Sequence, residues 1–106
     1  MKPKILVVES HHDLCSAIVA AVNRENLACD AVGSGDAALV QLRNDTYDYI
    51  LVDDDEATAA QSLLNDLAAH PGSPKLVLLT EFDRSDAVDF LRKPFDSKQL
   101  IAKISG

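Results

Sequence analysis

Cysteine is scarce in this chain, which has only Cys15 and Cys29. Two are too few for a disulfide framework, and both fall inside stretches that read as regular elements, so free, buried thiols are expected. Long apolar runs are missing as well. No stretch approaches the roughly 20 residues a membrane-spanning helix needs, and "MKPKILVVES" has neither the long apolar core nor the small-residue cleavage site of a signal peptide. A cytoplasmic protein without membrane contact is expected. Basic residues are outnumbered: ten Lys and Arg against seventeen Asp and Glu leave a net charge of −7, which argues against direct binding of nucleic acid. Repeats, low-complexity tracts and internal linkers are also absent, so residues 1–106 read as one domain with one core. The abrupt ending "KISG" suits a fragment, the N-terminal part of something longer.

Short continuous apolar runs are present, and they recur. "KILVV" (4–8), "YILV" (49–52) and "KLVLLT" (75–80) fit strands buried on both faces, "ACDAV" (28–32) is a weaker candidate, and "DFLRK" (89–93) is a fifth. Between them lie helical patterns. Leu14, Ile18 and Val22 recur every four residues, with Cys15 and Val19 widening the stripe. Ser10, three residues before Asp13, has the spacing of a capping box and is expected to cap this helix. "GSGDAALVQLRN" reads as a turn and a second helix with Ala38, Leu39 and Leu42 inward. "TAAQSLLNDLAAHPG" reads as a third, stopped by Pro71 and Gly72. "DSKQLIAKI" opens with Asp96 and Gln99 at capping-box spacing and turns Leu100, Ile101 and Ile104 inward.

Buried strands alternating with helices imply right-handed crossovers and a parallel sheet covered on both faces. Ligands of such sheets bind beyond the carboxyl ends of the strands. Those ends carry Glu9 and Ser10, then Asp53, Asp54 and Asp55, then Thr80, then Lys93. Three aspartates after a buried strand would be costly without cationic partners, which places them in a loop where carboxylates can gather around a cation.

An acid after the first strand, an aspartate after the third, a threonine after the fourth and Lys-Pro after the fifth together resemble the receiver domain of two-component response regulators. The segments are "KILVVES", "DYILVDDD", "KLVLLT" and "DFLRKPF", and the resemblance covers essentially the whole chain. It implies a flavodoxin-like, doubly wound five-stranded parallel sheet of order 2-1-3-4-5. It also implies that Asp53 is the phosphoacceptor, taking the phosphoryl group from a histidine kinase. By the same resemblance Thr80 and Lys93 contact the phosphate, Thr80 and Phe90 act as the switch pair, and Pro94 follows a cis bond. Glu9, Asp53 and Asp55 fall to Mg²⁺, and the partners are the kinase, an output domain or a second copy of the chain. The chemistry agrees, because phosphoryl transfer needs an in-line nucleophile and fixed positive charge around the phosphoryl oxygens.

The sequence departs from that pattern in four places. Ser10 stands where the family has a second acid that binds Mg²⁺ directly, so a weak or absent Mg²⁺ site is expected. Glu81 stands after Thr80 where a small residue is usual; it could obstruct an incoming phosphate, or reach Lys93 and mimic one. Thirteen positions separate Thr80 from Lys93, roughly two helical turns fewer than usual, so the fourth helix is expected to be shortened or missing. The loop expected after the phosphoacceptor is replaced by "EATAAQ".

These readings define an atypical receiver, a signalling and protein-interaction module with impaired or absent aspartyl phosphorylation. The alternative is a working receiver phosphorylated on Asp53. A third reading is a small phosphatase of the haloacid-dehalogenase type, which "DDDEAT" superficially matches, although Ala57 occupies the position where that motif needs Thr or Val. Plainer roles stand beside the functional ones. Lys93 suits an edge strand, Thr80 suits β structure, Asp54 and Asp55 suit a solvated loop, and His11, His12 and Cys15 lack a second ligand pair for a transition metal.

Overall fold

In the computed structural model of the chain, residues 3–53, 74–81 and 89–105 are described. Strand β1 (Lys4–Val8) leads into helix α1 (His12–Arg24), then β2 (Ala28–Val32), helix α2 (Gly35–Asn44), β3 (Tyr49–Asp53), β4 (Lys75–Thr80), β5 (Phe90–Arg92) and helix α3 (Ser97–Ser105). The strands form one sheet of order β2-β1-β3-β4-β5, all pairs parallel.

Burial on both faces explains the unbroken apolar runs. Successive side chains of a strand point to opposite faces, so an amphipathic strand would alternate; these do not. Ile5, Val7, Leu51, Val77, Leu79 and Leu91 face one way and pack against Ile18, Ala21 and Val22 of α1 and Leu100 and Ile104 of α3. Leu6, Val8, Ile50, Val52 and Leu78 face the other way, against Ala38 of α2 and Tyr47. Ile5 through Val8 are at most 1% exposed, and each such side chain contributes about 1.5–3 kcal/mol on burial. An aspartate in place of Val7 would bury an unpaired carboxylate and break this layer.

Two helix starts illustrate local encoding. Ser34 caps α2, its hydroxyl accepting from the Ala37 N–H at 3.2 Å. Asp96 and Gln99 form the expected capping box: the Asp96 N–H donates to Gln99 Oε1 at 2.9 Å and the Gln99 N–H to Asp96 Oδ1 at 2.8 Å. The capping box expected at Ser10 is not formed. The N-cap of α1 is His11, without a side-chain cap bond, and Ser10 is an exposed residue ahead of it. The His11 N–H donates instead to Glu9 Oε1 at 3.0 Å, so the residue before Ser10 takes the capping role by reaching forward. At the other end of α1 the chain leaves through Asn26 at φ 59°, a left-handed position that asparagine tolerates, with the Leu27 N–H returning to the Val22 carbonyl.

Cys15 and Cys29 are free, as expected, but only half-buried against the α1 and α3 face. Burial, then neighbouring acids, pushes the Cys15 thiol up and that of Cys29 up to about 11.

The return from β4 to β5 is short. Nine residues (81–89) join Thr80 to Phe90, where a parallel crossover usually takes a dozen or more. The register explains how this suffices. Phe90 lies opposite Leu78, so the chain steps back only two residues, about 7 Å at ordinary strand rise, and sideways one strand spacing. Strand β5 is correspondingly short, three residues rather than the five of "DFLRK". The shortened or missing fourth helix was expected on residues 81–88 and the third helix within 58–72; residues 82–88 and 58–72 lie outside the described residues.

Candidate functional site

Parallel strands end together, so the carboxyl ends of β1, β3, β4 and β5 bring Glu9, Asp53, Thr80 and Lys93 to one rim. Each is fixed by backbone bonds. The Glu9 N–H donates to the Val32 carbonyl at 3.1 Å, tying it to the end of β2. Asp53 is the last residue of β3, opposite Leu79. The Lys93 N–H donates to the Thr80 carbonyl at 2.7 Å, extending the β4–β5 ladder one residue past Arg92.

Glu9 is 3%, Asp53 7% and Thr80 1% exposed, so two carboxylates are buried at this rim. Their partner is Lys93. Its Nζ donates to Asp53 Oδ1 at 2.5 Å and to Glu9 Oε2 at 3.3 Å, while Glu9 Oε1 is held by the His11 N–H. Burial alone would lower the Lys93 pKa. The hydrogen bond to Asp53 and the charges of Glu9 and Asp53 outweigh it, and the ammonium titrates above the usual lysine range. Among the described groups, one cation thus faces two anions. Oxygen donors with surplus negative charge suit a hard divalent cation. The peptide bond between Lys93 and Pro94 is cis.

Of the other residues singled out, Phe90 begins β5, partly buried on the α2 face beside the Leu78 cluster. Glu81 is exposed and makes no ion pair with Lys93, whose ammonium is taken by Glu9 and Asp53. It lines an open cavity of about 430 Å³ with Leu14, Lys93, Pro94 and Phe95. Asp54 and Asp55 lie outside the described residues. Among the described residues, no three His, Cys, Asp or Glu side chains gather as a metal site.

Sequence reasoning missed two features. The His11 backbone as a partner of Glu9 was legible only as a helix start one residue later than the pattern implied. A second polar cluster lies on the α2 face: the Tyr47 hydroxyl donates to Asp30 Oδ2 at 2.5 Å and accepts from Gln41 Nε2 at 2.8 Å, and Lys4 pairs with Asp45 and lies 5.0 Å over the Tyr47 ring. Asp30, a charge inside a strand pattern, was its one visible sign.

A 2-1-3-4-5 parallel sheet with buried acids, a threonine and a lysine along one rim defines a flavodoxin-like α/β domain. The chain belongs to the response regulator receiver domain family, which it matches over residues 5–105. That match displaces the phosphatase reading. The chain is 32% identical over 111 residues to the transcriptional regulatory protein CutR of Streptomyces coelicolor, covering 95% of this chain and 51% of that protein. Against the response regulator ArlR of Staphylococcus saprophyticus it is 27% identical over 110 residues, covering 95% and 50%. The chain therefore spans about half the length of the curated relatives it matches. Among solved structures, the chemotaxis response regulator CheY4 of Vibrio cholerae superposes with a TM-score of 0.83 at 16% identity, covering 97% of this chain and 96% of that one. The receiver domain of the Pseudomonas aeruginosa sensor histidine kinase PA1611, with a magnesium ion coordinated in its active-site cleft, superposes at 0.82 and 20% identity, covering 98% and 95%. These two establish the fold. No described helix is long and apolar enough to cross a membrane.

Proposed function

We propose that this receiver domain accepts a phosphoryl group on Asp53, in a reaction impaired by a weakened Mg²⁺ site, and passes the change to a protein partner. The observation that carries the reading is the Lys93 ammonium held 2.5 Å from Asp53 Oδ1 at a buried rim, with the Lys93 backbone bonded to Thr80. An aspartate carboxylate is a competent nucleophile toward phosphorus, and a fixed ammonium beside it meets the charge that grows on the phosphoryl oxygens. Glu9 steadies that ammonium from its other side. Thr80 is a buried hydroxyl residue at the same rim, its carbonyl bonded to the Lys93 N–H, and Phe90, partly buried on β5, is the residue through which a shift at Thr80 would reach the surface.

Glu9 and Asp53, with Asp55 as the third candidate, would hold Mg²⁺, which when bound would neutralise phosphoryl charge. Ser10 supplies a hydroxyl where a carboxylate would bind more strongly, which supports weak affinity. The residues are read as a single receiver unit of a cytoplasmic regulator. A histidine kinase is the donor, and an output domain or a second copy of the chain is the recipient of the signal.

The test is intact-protein mass after incubation with Mg²⁺ and a small phosphodonor, acetyl phosphate or phosphoramidate, beside Asp53→Asn. A gain of one phosphoryl group that needs Asp53 is expected, and it should vanish with EDTA. No gain with either donor would favour the second reading, an interaction module that works unmodified, to which Ser10 and Glu81 point.

A further inference from the structure

We infer that Glu9 couples the carboxyl-end rim to the start of α1, so that a divalent cation bound at the rim loosens the first turn of that helix. The inference rests on the reading of Glu9 and Asp53 as Mg²⁺ ligands, and it adds a route by which the state of the rim leaves the site. One carboxylate serves two elements. Glu9 Oε2 accepts from the Lys93 ammonium at 3.3 Å, and Glu9 Oε1 accepts from the His11 N–H at 3.0 Å. Helix α1 has no side-chain bond at its own N-cap, and Ser10 stays exposed. Among the described residues, Glu9 is thus the side chain that holds this helix start.

The backbone on either side is pinned. The Glu9 N–H is bonded to the Val32 carbonyl at the end of β2, and the His11 carbonyl accepts the Cys15 N–H as the first bond of α1. Rearrangement therefore falls on the Glu9 side chain. Mg²⁺ holds oxygen ligands at about 2.0–2.1 Å in near-octahedral geometry, whereas an ammonium at 3.3 Å makes no such demand on the plane of the carboxylate. A carboxylate drawn onto the cation gives up charge and alignment toward His11, and the helix start loses the negative partner that its dipole favours. The effect reaches the surface nearby. Leu14, in the first turn, packs against the core as Phe95 does, and both line an open cavity of about 240 Å³ between α1 and α3. Phe90 lies on the other face, so the two routes leave the sheet on opposite sides.

The test follows the exchange of the His11 amide with water by NMR while Mg²⁺ is titrated, with binding followed separately by calorimetry. Losing a cap of ordinary strength should speed that exchange roughly fivefold at saturation. The Leu27 amide, bonded to the Val22 carbonyl at the far end of α1, should not follow. Glu9→Gln keeps an oxygen for the His11 N–H without the charge, so its amide should stay slow and no longer answer to Mg²⁺. Glu9→Ala should exchange fast with or without the cation. Bound Mg²⁺ with an unchanged His11 amide would overturn the inference, as would the same acceleration in Glu9→Gln. Calorimetry that detects no Mg²⁺ binding to the parent chain would bring down the metal reading and this inference with it. No phosphodonor is present, so failure of Asp53 as the phosphoacceptor shows separately, as an intact Mg²⁺ response in a chain that gains no phosphoryl group.

Discussion

Replacing Lys93 with Met should destabilise the domain out of proportion to a surface charge change. The substitution keeps the side-chain stem and the Lys93 N–H bond to the Thr80 carbonyl, so the loss is confined to the ammonium. At the observed 2.5 and 3.3 Å, and with an effective dielectric of about 20, the gross attractions to Asp53 and Glu9 are about 7 and about 5 kcal/mol. Most of this offsets the desolvation of three charges, and Lys93 keeps 20% of its side chain exposed. Breaking a buried pair by removing one partner typically costs 3–5 kcal/mol, and partial exposure argues for about 3. The assay is urea unfolding followed by circular dichroism. With a slope near 1–1.5 kcal/mol/M for a chain of this size, the midpoint should fall by about 2 M at unchanged slope. Asp53→Asn, which removes one of the two buried anions, should recover a large part of this loss when added to Lys93→Met. A single variant within about 1 kcal/mol of the parent, or strict additivity of the two substitutions, would refute the shared-cation account of the rim.

Three further outcomes are expected. Ser10→Asp should tighten Mg²⁺ binding by roughly tenfold or more by isothermal calorimetry, since it adds a carboxylate beside Glu9; an unchanged titration would remove Ser10 as the cause of weak affinity. Stability should decline in alkali. Burial and the Asp30 charge push Cys29 up to about 11, and burial and the bond to Asp30 push Tyr47 up to about 12. Unfolded chains lose these protons near pH 8.5 and 10, so the stabilisation is full below those values and is lost as pH rises toward the folded ones. Cys29→Ala with Tyr47→Phe should flatten that part of the stability curve, and an unaltered slope would show that other groups cause it. Finally, Asp96→Ala should cost about 1 kcal/mol by removing the α3 capping box, measured by the same urea unfolding, and no loss would mean that the bonds to Gln99 are not maintained in solution.

Much of the fold was legible because burial on two faces leaves a plain trace. β1 and β2 lie where "KILVV" and "ACDAV" placed them, and the α3 capping box announced itself by spacing. The meeting of Glu9, Asp53, Thr80 and Lys93 was legible too, because parallel strands deliver their carboxyl ends to one rim whatever the loops do. What escaped notice depends on contacts distant in sequence. Lys4 and Asp45 are 41 positions apart, and no local pattern pairs them. Ser10 misled because capping-box spacing is also met by chance, and Glu9, already turned toward the helix start, satisfied His11 first. That Lys93 would bind Glu9 and Asp53 rather than Glu81 is a matter of ångströms, which spacing alone does not carry.

The nine-residue return between β4 and β5 has a consequence for how this domain can vary. Strand β5 is held on one side only, by β4, and Lys93 follows its last residue. What sets the lysine along the rim is therefore the pairing of β5 with β4, through the Lys93 N–H on the Thr80 carbonyl. A two-residue slip of that pairing would carry the lysine about 7 Å, well beyond reach of Asp53. The connection itself has length to spare, since nine residues can span roughly 30 Å and the gap is only about 8 Å. Evolution can thus change the length of the connection by a residue or two and leave the ammonium in place, whereas it cannot change the register of a three-residue edge strand without losing it.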